Sequence, residues 1–225
     1  VGSEMCIRDS YIPRIMWSKR RDELIVFKMN RLQNKLELLS GTFSMDTPNN
    51  IGIKTKPIYT EKCTTYIDIH DNTSFINENE FIWTSEKDGY NHIYLINYAN
   101  GTEKQLTSGD WDVTEVYGYA SQSKKIFFQA AKSHPTKREI YALYTKNNKI
   151  ELLTEKSGTN EANFSKTFNY FINTHSSADT PFEITLHNQK GKLVKTLEKN
   201  EVLKNKLLEF NLTNKEFFTI PNEEG

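Results

Sequence analysis

The sequence is short of the residues that build covalent or metal-bound frameworks. Only two of the 225 residues are cysteines, Cys6 and Cys63, which excludes a disulfide scaffold and a zinc module with several cysteine ligands. Lys and Arg together number 29, as do Asp and Glu, so the formal net charge is zero. This balance, with no long basic block in the sequence, argues against nucleic acid as a partner, because binding to phosphates requires clustered Lys and Arg. No apolar run approaches the roughly 20 residues of a membrane-spanning helix.

Glycine and proline are scarce as well, with 10 and 6 residues, whereas aromatic side chains are abundant at 13 Phe, 11 Tyr and 3 Trp. Aromatic residues favour strands because they fit the half-buried surface of a pleated sheet. A length of 225 residues allows one large domain or two small ones, with enough chain to bury a core. The composition predicts a globular protein rich in β structure.

The first ten residues, VGSEMCIRDS, show neither helix nor strand periodicity and none of the parts of a signal peptide. Met5–Ser10 reads like the translation of an adaptor used in transposon-based sequencing libraries. We interpret residues 1–10 as a non-native segment, which removes Cys6 from the genuine chain. The alternative is a natural, disordered N-terminus.

An internal repeat of about 45 residues organises most of the chain. Each repeat has an aromatic-rich strand, a polar turn, a second strand, an Asn or Gly turn and a short strand ending in Leu. The three repeats are Phe81–Thr107, Ile126–Thr154 and Tyr170–Glu198. Three isoleucines and three leucines keep the period at spacings of 47 and 44 residues: Ile93, Ile140 and Ile184, then Leu106, Leu153 and Leu197. The isoleucines are predicted to occupy equivalent, inward positions in strands.

One further strand precedes each repeat, which gives each unit the four strands of a propeller blade. These strands are Tyr66–His70, Val113–Tyr119 and Ala162–Ser165. A looser unit comes first, with strands at Tyr11–Trp17, Leu24–Asn30, Lys35–Leu39 and, after an insertion, Ile58–Thr60. The sequence therefore predicts an all-β fold, a partial β-propeller of about four four-stranded blades, at residues 11–60, 66–107, 113–154 and 162–198.

Residues 201–225 depart from the blade pattern. Glu201–Phe210 places apolar residues at helical spacing and predicts a short amphipathic helix. Glu216–Ile220 reads as a strand, and the polar turn after it resembles the start of a hairpin. We expect residues 201–225 to link the propeller, residues 11–200, to a second domain that lies beyond this sequence.

Motifs that carry chemistry are missing from the sequence. There is no Gly-x-Ser-x-Gly nucleophile elbow and no Gly-rich loop to hold a phosphate. The histidines stand at no metal-ligand spacing. The most distinctive polar string, Ser85–Tyr90, contains Asp88-Gly89 and predicts a hairpin turn with Tyr90 packed on the sheet; a ligand role is the alternative. The residues predict no catalytic residue, no metal site and no cofactor, and they name no substrate-binding residue.

Several stretches resemble the propeller of the dipeptidyl peptidase IV family of serine peptidases. They begin with Tyr11–Trp17 and Asn30–Asn34, continue with Phe81–Tyr94 and Gln105–Thr114, and end with Asn200–Ile220. Their order and spacing make the resemblance specific, and it extends from about Tyr11 to Gly225. It implies the second half of an eight-bladed propeller, followed by an α/β-hydrolase domain whose first strand is Glu216–Ile220.

The resemblance also implies an activity. The intact enzymes remove dipeptides from peptide N-termini, with proline or alanine as the second residue, and related members release tripeptides. The Ser, Asp and His of catalysis would lie beyond Gly225, and the glutamates that bind the substrate amine would lie before Tyr11. The present chain is therefore expected to be inactive alone. In the intact enzyme the propeller is expected to limit which peptides enter the active site and to orient them. The family works outside the cytoplasm, secreted, periplasmic or membrane-anchored, and often forms homodimers.

The alternative is a stand-alone four-bladed propeller that binds a protein or a glycan. A Gly-x-Ser-x-Gly string in the downstream reading frame would favour the peptidase. Half of a propeller ring would expose the outer faces of its terminal blades. We expect such surfaces at Ile12, Ile15, Leu24 and Val26 in the first blade, and at Phe171, Ile184 and Leu186 in the last.

Overall fold

A computed structural model describes residues 10–47, 50–210, 212–213 and 215–221, so most of the adaptor-like segment lies outside the described residues. The chain divides into two compact units, Val1–Asp110 and Trp111–Gly225. The strands of the first unit are β1 (Ser10–Trp17), β2 (Glu23–Asn30), β3 (Lys35–Thr47), β4 (Asn50–Lys62), β5 (Ser74–Phe75), β6 (Glu80–Ser85), β7 (His92–Asn97) and β8 (Glu103–Gln105).

The second unit contains eight strands and a helix among its described residues. They are β9 (Val113–Ala120), β10 (Lys125–Ala130), β11 (Glu139–Tyr144), β12 (Ile150–Leu152), β13 (Thr159–Phe164), β14 (Tyr170–Ser176), β15 (Glu183–Asn188), β16 (Leu193–Glu198) and α1 (Glu201–Leu208). No helix in the described part of the chain is long and apolar enough to span a membrane.

The strands form four sheets, each of four antiparallel strands in chain order: β1–β4, β5–β8, β9–β12 and β13–β16. We call them the first to fourth sheets. Four-stranded antiparallel sheets joined by short turns are the blades of a propeller. The predicted fold class, a partial β-propeller, is confirmed. The limits of the domains stay a prediction.

The core of the first unit lies between its two sheets. In β2 the side chains alternate, so that Ile25, Phe27 and Met29 are buried while their neighbours are partly exposed. The buried set packs with Phe81 and Trp83 of the second sheet. The opposite face of the first sheet carries exposed apolar residues, among them Ile15 and Trp17. This is the alternation expected of a sheet with one covered face.

The repeat isoleucines occupy equivalent places, as predicted: each is the second residue of its sheet's third strand. A threonine at the end of the repeat supports two of them. The amide of Ile93 donates to Thr107 Oγ1 at 2.9 Å, and that of Ile140 to Thr154 Oγ1 at 3.3 Å. Ile93 and Ile140 are fully buried, whereas Ile184 is partly exposed.

The inner strand of the second sheet is not where the sequence predicted it. Residues 66–70 form no strand, and β5 is Ser74–Phe75. The alternating pattern of residues 66–70 is misleading because Ile67 is buried and its amide donates to the carbonyl of Gln33 at 2.8 Å, in the turn after β2. That bond ties the segment to the first sheet, so it does not pair with β6.

Further predictions need correction. The strands predicted at Lys35–Leu39 and Ile58–Thr60 are longer, since β3 continues to Thr47 and β4 begins at Asn50, so the two strands pair through most of the predicted insertion. Residues 216–220 form no strand, because a strand needs a partner and the described residues supply none; Phe217 and Phe218 are exposed. Phe171 is buried rather than on an open face, since it points towards the third sheet. The predicted helix forms, and it ends at Leu208 rather than Phe210.

Candidate functional site

The histidines of the chain have structural contacts. His70 stacks on Trp83 with ring centroids 4.5 Å apart, and its Nε2 lies 2.7 Å from the carbonyl oxygen of Thr84. Burial lowers the pKa of His70. His92 is buried between Thr107 Oγ1 and the carbonyl oxygen of Gly109. Among the residues that the structure describes, no group of three or more His, Cys, Asp or Glu side chains could hold a metal ion.

The Ser85–Tyr90 string is a hairpin turn, as predicted, with Gly89 at φ +105°. Tyr90 is 38% exposed. Lys87 Nζ contacts Glu103, donates to Tyr59 Oη at 2.9 Å and lies 4.4 Å from the ring centre of Tyr94. Because the ammonium group is engaged by all three partners, the turn braces the two sheets of the first unit and offers no free cation to a ligand.

Glu61 is a buried carboxylate that the sequence did not reveal. It accepts hydrogen bonds from Trp83 Nε1 at 2.6 Å and from Ser85 Oγ. A buried carboxylate must be satisfied by donors, and these two occupy both of its oxygens. Ser85 is therefore a structural donor.

A cleft of about 600 Å³ opens between β9 and β13 in the second unit. Glu115 and Glu161 lie on it, with the rings of Tyr117, Phe164 and Phe168. Burial, and then the charge of Glu161, raise the pKa of Glu115. The backbone amide of Ala162 donates to Tyr117 Oη at 3.2 Å, which ties the two strands together.

Gly118 leaves room for the Phe168 ring that lines this cleft. Gly118 has φ +137°, and a Cβ built on it would stand 2.7 Å from Phe168 Cζ. Phe168 itself has φ +56°, in the left-handed region that bulky residues avoid. The ring can lie over β9 only because residue 118 has no side chain.

A larger groove, of about 1200 Å³, lies at the end of the fourth sheet. Its floor contains His175 and Glu183, and α1 forms one wall with Leu203 and Leu207. The chain after α1 lines the groove at Leu212, Thr213 and Lys215. The amide of Lys215 donates to Asp179 Oδ1 at 3.1 Å, which ties this segment to the turn before β15.

Glu183 is the centre of charge in the groove. Its side chain is 11% exposed and contacts two ammonium groups, that of Lys156 and that of Lys204, the latter at 2.5 Å. Hydrogen bonds from these lysines lower the pKa of Glu183 to about 2. The carboxylate is thus ionised at every physiological pH, and the cluster carries one net positive charge.

A buried polar network joins the third and fourth sheets, and the nearby residues His175 and Ser157 line the groove. Gln129 Nε2 donates to the carbonyl oxygen of Asn160 at 2.6 Å, and Asn173 Nδ2 donates to Asn160 Oδ1 at 3.0 Å. His175 Nε2 lies 3.0 Å from the carbonyl oxygen of Ser157 and acts as donor there. Nδ1 of His175 is buried without a hydrogen-bond partner among the described residues. The groove therefore combines apolar walls with a polar floor.

A family model described as the N-terminal region of dipeptidyl peptidase IV matches residues 1–182. The chain belongs to the dipeptidyl peptidase IV family. The match includes residues 1–10, so their origin as an adaptor stays a prediction. Dipeptidyl peptidase 4 of Arthroderma otae is 26% identical over 227 residues, which cover 96% of this chain and 28% of that protein.

Other members of the dipeptidyl peptidase IV family agree. Dipeptidyl peptidase 4 of Trichophyton equinum is 30% identical over 148 residues, 64% of this chain and 19% of its own length. The crystal structure of Porphyromonas gingivalis dipeptidyl peptidase 4 matches with a TM-score of 0.86 and 36% identity, over 96% of this chain and 30% of that one. The chain thus spans less than a third of the relatives it matches.

Sequence reasoning named no site residue, and the structure shows why. Lys156, Glu183 and Lys204 come from three separate segments that no local motif connects. One signal was available: by the repeat spacing, Glu183 is equivalent to His92 and Glu139, the first residues of β7 and β11. All three side chains are titratable and buried.

Proposed function

We propose that this chain is a non-catalytic propeller segment of a serine exopeptidase that removes N-terminal dipeptides or tripeptides, often after proline. The observation that carries the proposal is the family match over residues 1–182, together with the fold shared with Porphyromonas gingivalis dipeptidyl peptidase 4. In such an enzyme the nucleophile and the oxyanion donors belong to the hydrolase domain. The propeller limits which peptides reach them and orients the peptide amine.

The groove supports a contact with that further domain. A helix of a folded protein normally buries an apolar stripe, yet Val202 and Leu208 of α1 are exposed. Leu208 lines the groove together with Leu212 and Lys215 of the segment that follows the helix. We infer that the α/β-hydrolase domain packs on this end of the fourth sheet. Peptide substrates, a homodimer and a location outside the cytoplasm belong to the same proposal.

Hydrolysis of Gly-Pro-p-nitroanilide tests the proposal in two proteins. The parent protein, expressed from its full reading frame, should release p-nitroaniline and should carry a Gly-x-Ser-x-Gly string after Gly225. The 225-residue chain alone should release none, because the sequence offers no nucleophile elbow. A parent without that string, or one that cleaves no N-terminal dipeptide or tripeptide, would contradict the proposal and favour a binding propeller.

A further inference from the structure

Helix α1 is held in place in an unusual way. None of its eight residues is buried. Helices this short are unstable alone, and most take their stability from a buried apolar face. Its N-cap residue, Asn200, is in the left-handed conformation and makes no side-chain capping bond to the helix. Leu207 is only partly buried, so neither a fully buried apolar face nor a side-chain cap holds α1 in position.

Polar bonds to residues 179–183 take the place of burial. Lys204 Nζ in α1 lies 2.5 Å from Glu183 Oε1. Asn200 Nδ2, at the start of the helix, donates to the carbonyl oxygen of Phe182. After the helix, the amide of Lys215 donates to Asp179 Oδ1. Of these three bonds, only that of Lys204 comes from within α1, and it ends on Glu183.

Glu183 is itself held from the other side. Its second oxygen contacts Lys156, which lies in the loop between the third and fourth sheets. His175, opposite Glu183 in the ladder of β14 and β15, completes the surroundings. A carboxylate this little exposed requires paired donors, and removing it would leave two ammonium groups facing each other. The cluster thus connects the loop, β15 and α1 through one side chain.

We propose that Lys156, Glu183 and Lys204 form an ionic latch that sets the position of α1 on the fourth sheet. Opening the latch frees the helix while the sheet stays folded. The strength of an ionic contact at a partly exposed position falls as salt screens it, so salt loosens α1. The latch operates within the chain itself and does not depend on the peptidase role.

Hydrogen–deuterium exchange of the 225-residue chain, resolved by mass spectrometry, tests the latch. Glu183→Gln should speed exchange of residues 201–208 by roughly tenfold or more, and 1 M NaCl should do the same to the unaltered chain. The matched control is Glu201→Gln, in the same helix, whose partner Lys199 is 3.7 Å away and exposed. It should leave exchange within about twofold of the original.

Lys204→Met decides the case if Glu183→Gln unfolds the sheet. This variant keeps the Lys156–Glu183 contact, so β14 and β15 should stay protected while α1 exchanges freely. The latch is refuted if α1 of Lys204→Met remains as protected as before. It is equally refuted if α1 of the unaltered chain already exchanges at the rate of an unstructured peptide.

Discussion

Ile140 and Ile184 occupy the same place in successive sheets, yet one is fully buried and the other is partly exposed. The difference lies in what covers their face. Phe171 and Ala162 of the fourth sheet pack on the face of the third sheet that carries Ile140. Among the described residues of the second unit, no other sheet covers the corresponding face of the fourth. The repeat thus fixes the position of a residue in its sheet. Whether a neighbouring sheet covers that position determines how much the side chain contributes to the free energy of unfolding.

The largest effect should come from the same substitution at these two positions. Ile140→Ala leaves a cavity in a closed core and should lower the free energy of unfolding by about 2–5 kcal/mol. Ile184→Ala removes atoms that water already reaches, so its cost should stay below about 1 kcal/mol. Urea denaturation followed by circular dichroism measures both. Equal losses would mean that the open face is covered in solution.

The open faces should also control self-association. Ile15, at 64% exposure, lies on the uncovered face of the first sheet, and Ile172, at 40%, lies on that of the fourth. Large apolar surfaces of this kind drive association. The chain should therefore elute from size-exclusion chromatography as oligomers or aggregate, and Ile15→Glu with Ile172→Glu should shift most of it to monomer.

Leu32→Glu is the control for this experiment. Leu32 is 74% exposed but lies in the turn between β2 and β3 rather than on a sheet face. This substitution adds one negative charge, as each of the two isoleucine substitutions does, but away from a sheet face, and it should leave the elution profile unchanged. A compact monomer formed by the unaltered chain would contradict the half-ring and revive the closed four-bladed propeller.

The sequence predicted the positions of residues within a sheet better than it predicted which face of a sheet is covered by another. The period located the strands that carry Ile93 and Ile140, because equivalent residues recur at a fixed spacing. It misplaced Phe171, since alternation separates two faces without showing which one another sheet covers. It missed the latch of Lys156, Glu183 and Lys204, because contacts between distant segments leave no local pattern. The prediction of a strand at residues 66–70 failed because the alternating segment bonds to the turn after β2, through the amide of Ile67 and the carbonyl of Gln33, and does not pair with β6.

A smaller effect is expected at the contact between the third sheet and the turn that covers it. Gly118→Ala would place a Cβ 2.7 Å from Phe168 Cζ, at a φ of +137° that L-residues rarely adopt. We expect a loss of about 1–3 kcal/mol in the free energy of unfolding.

Gly89→Ala separates the two causes of that loss. Gly89 also has a positive φ, +105°, but a Cβ there would meet nothing within 4 Å. Its substitution should cost only the backbone strain, about 1 kcal/mol. Equal losses in the two variants would mean that the Phe168 ring does not pack on Gly118. The description of Phe168 as the aromatic wall of the cleft would then be wrong.

The smallest effect concerns two glutamates of the second unit, one in each sheet. Burial and the charge of Glu161 raise the pKa of Glu115, in the third sheet. The folded state therefore loses stability as the pH rises from the unfolded pKa of this group through its raised folded-state pKa. The pKa of Glu183, in the fourth sheet, is lowered to about 2, so its stabilisation is complete above the unfolded pKa and is lost as pH falls towards 2.

Carboxyl carbon NMR titration should place the pKa of Glu115 above its usual range and that of Glu183 below it. Glu161→Gln should lower the pKa of Glu115 only, and Lys204→Met should raise that of Glu183 only. A shift of both pKa values in either variant would mean that the two sheets share one electrostatic site, whereas the structure separates the cleft from the groove.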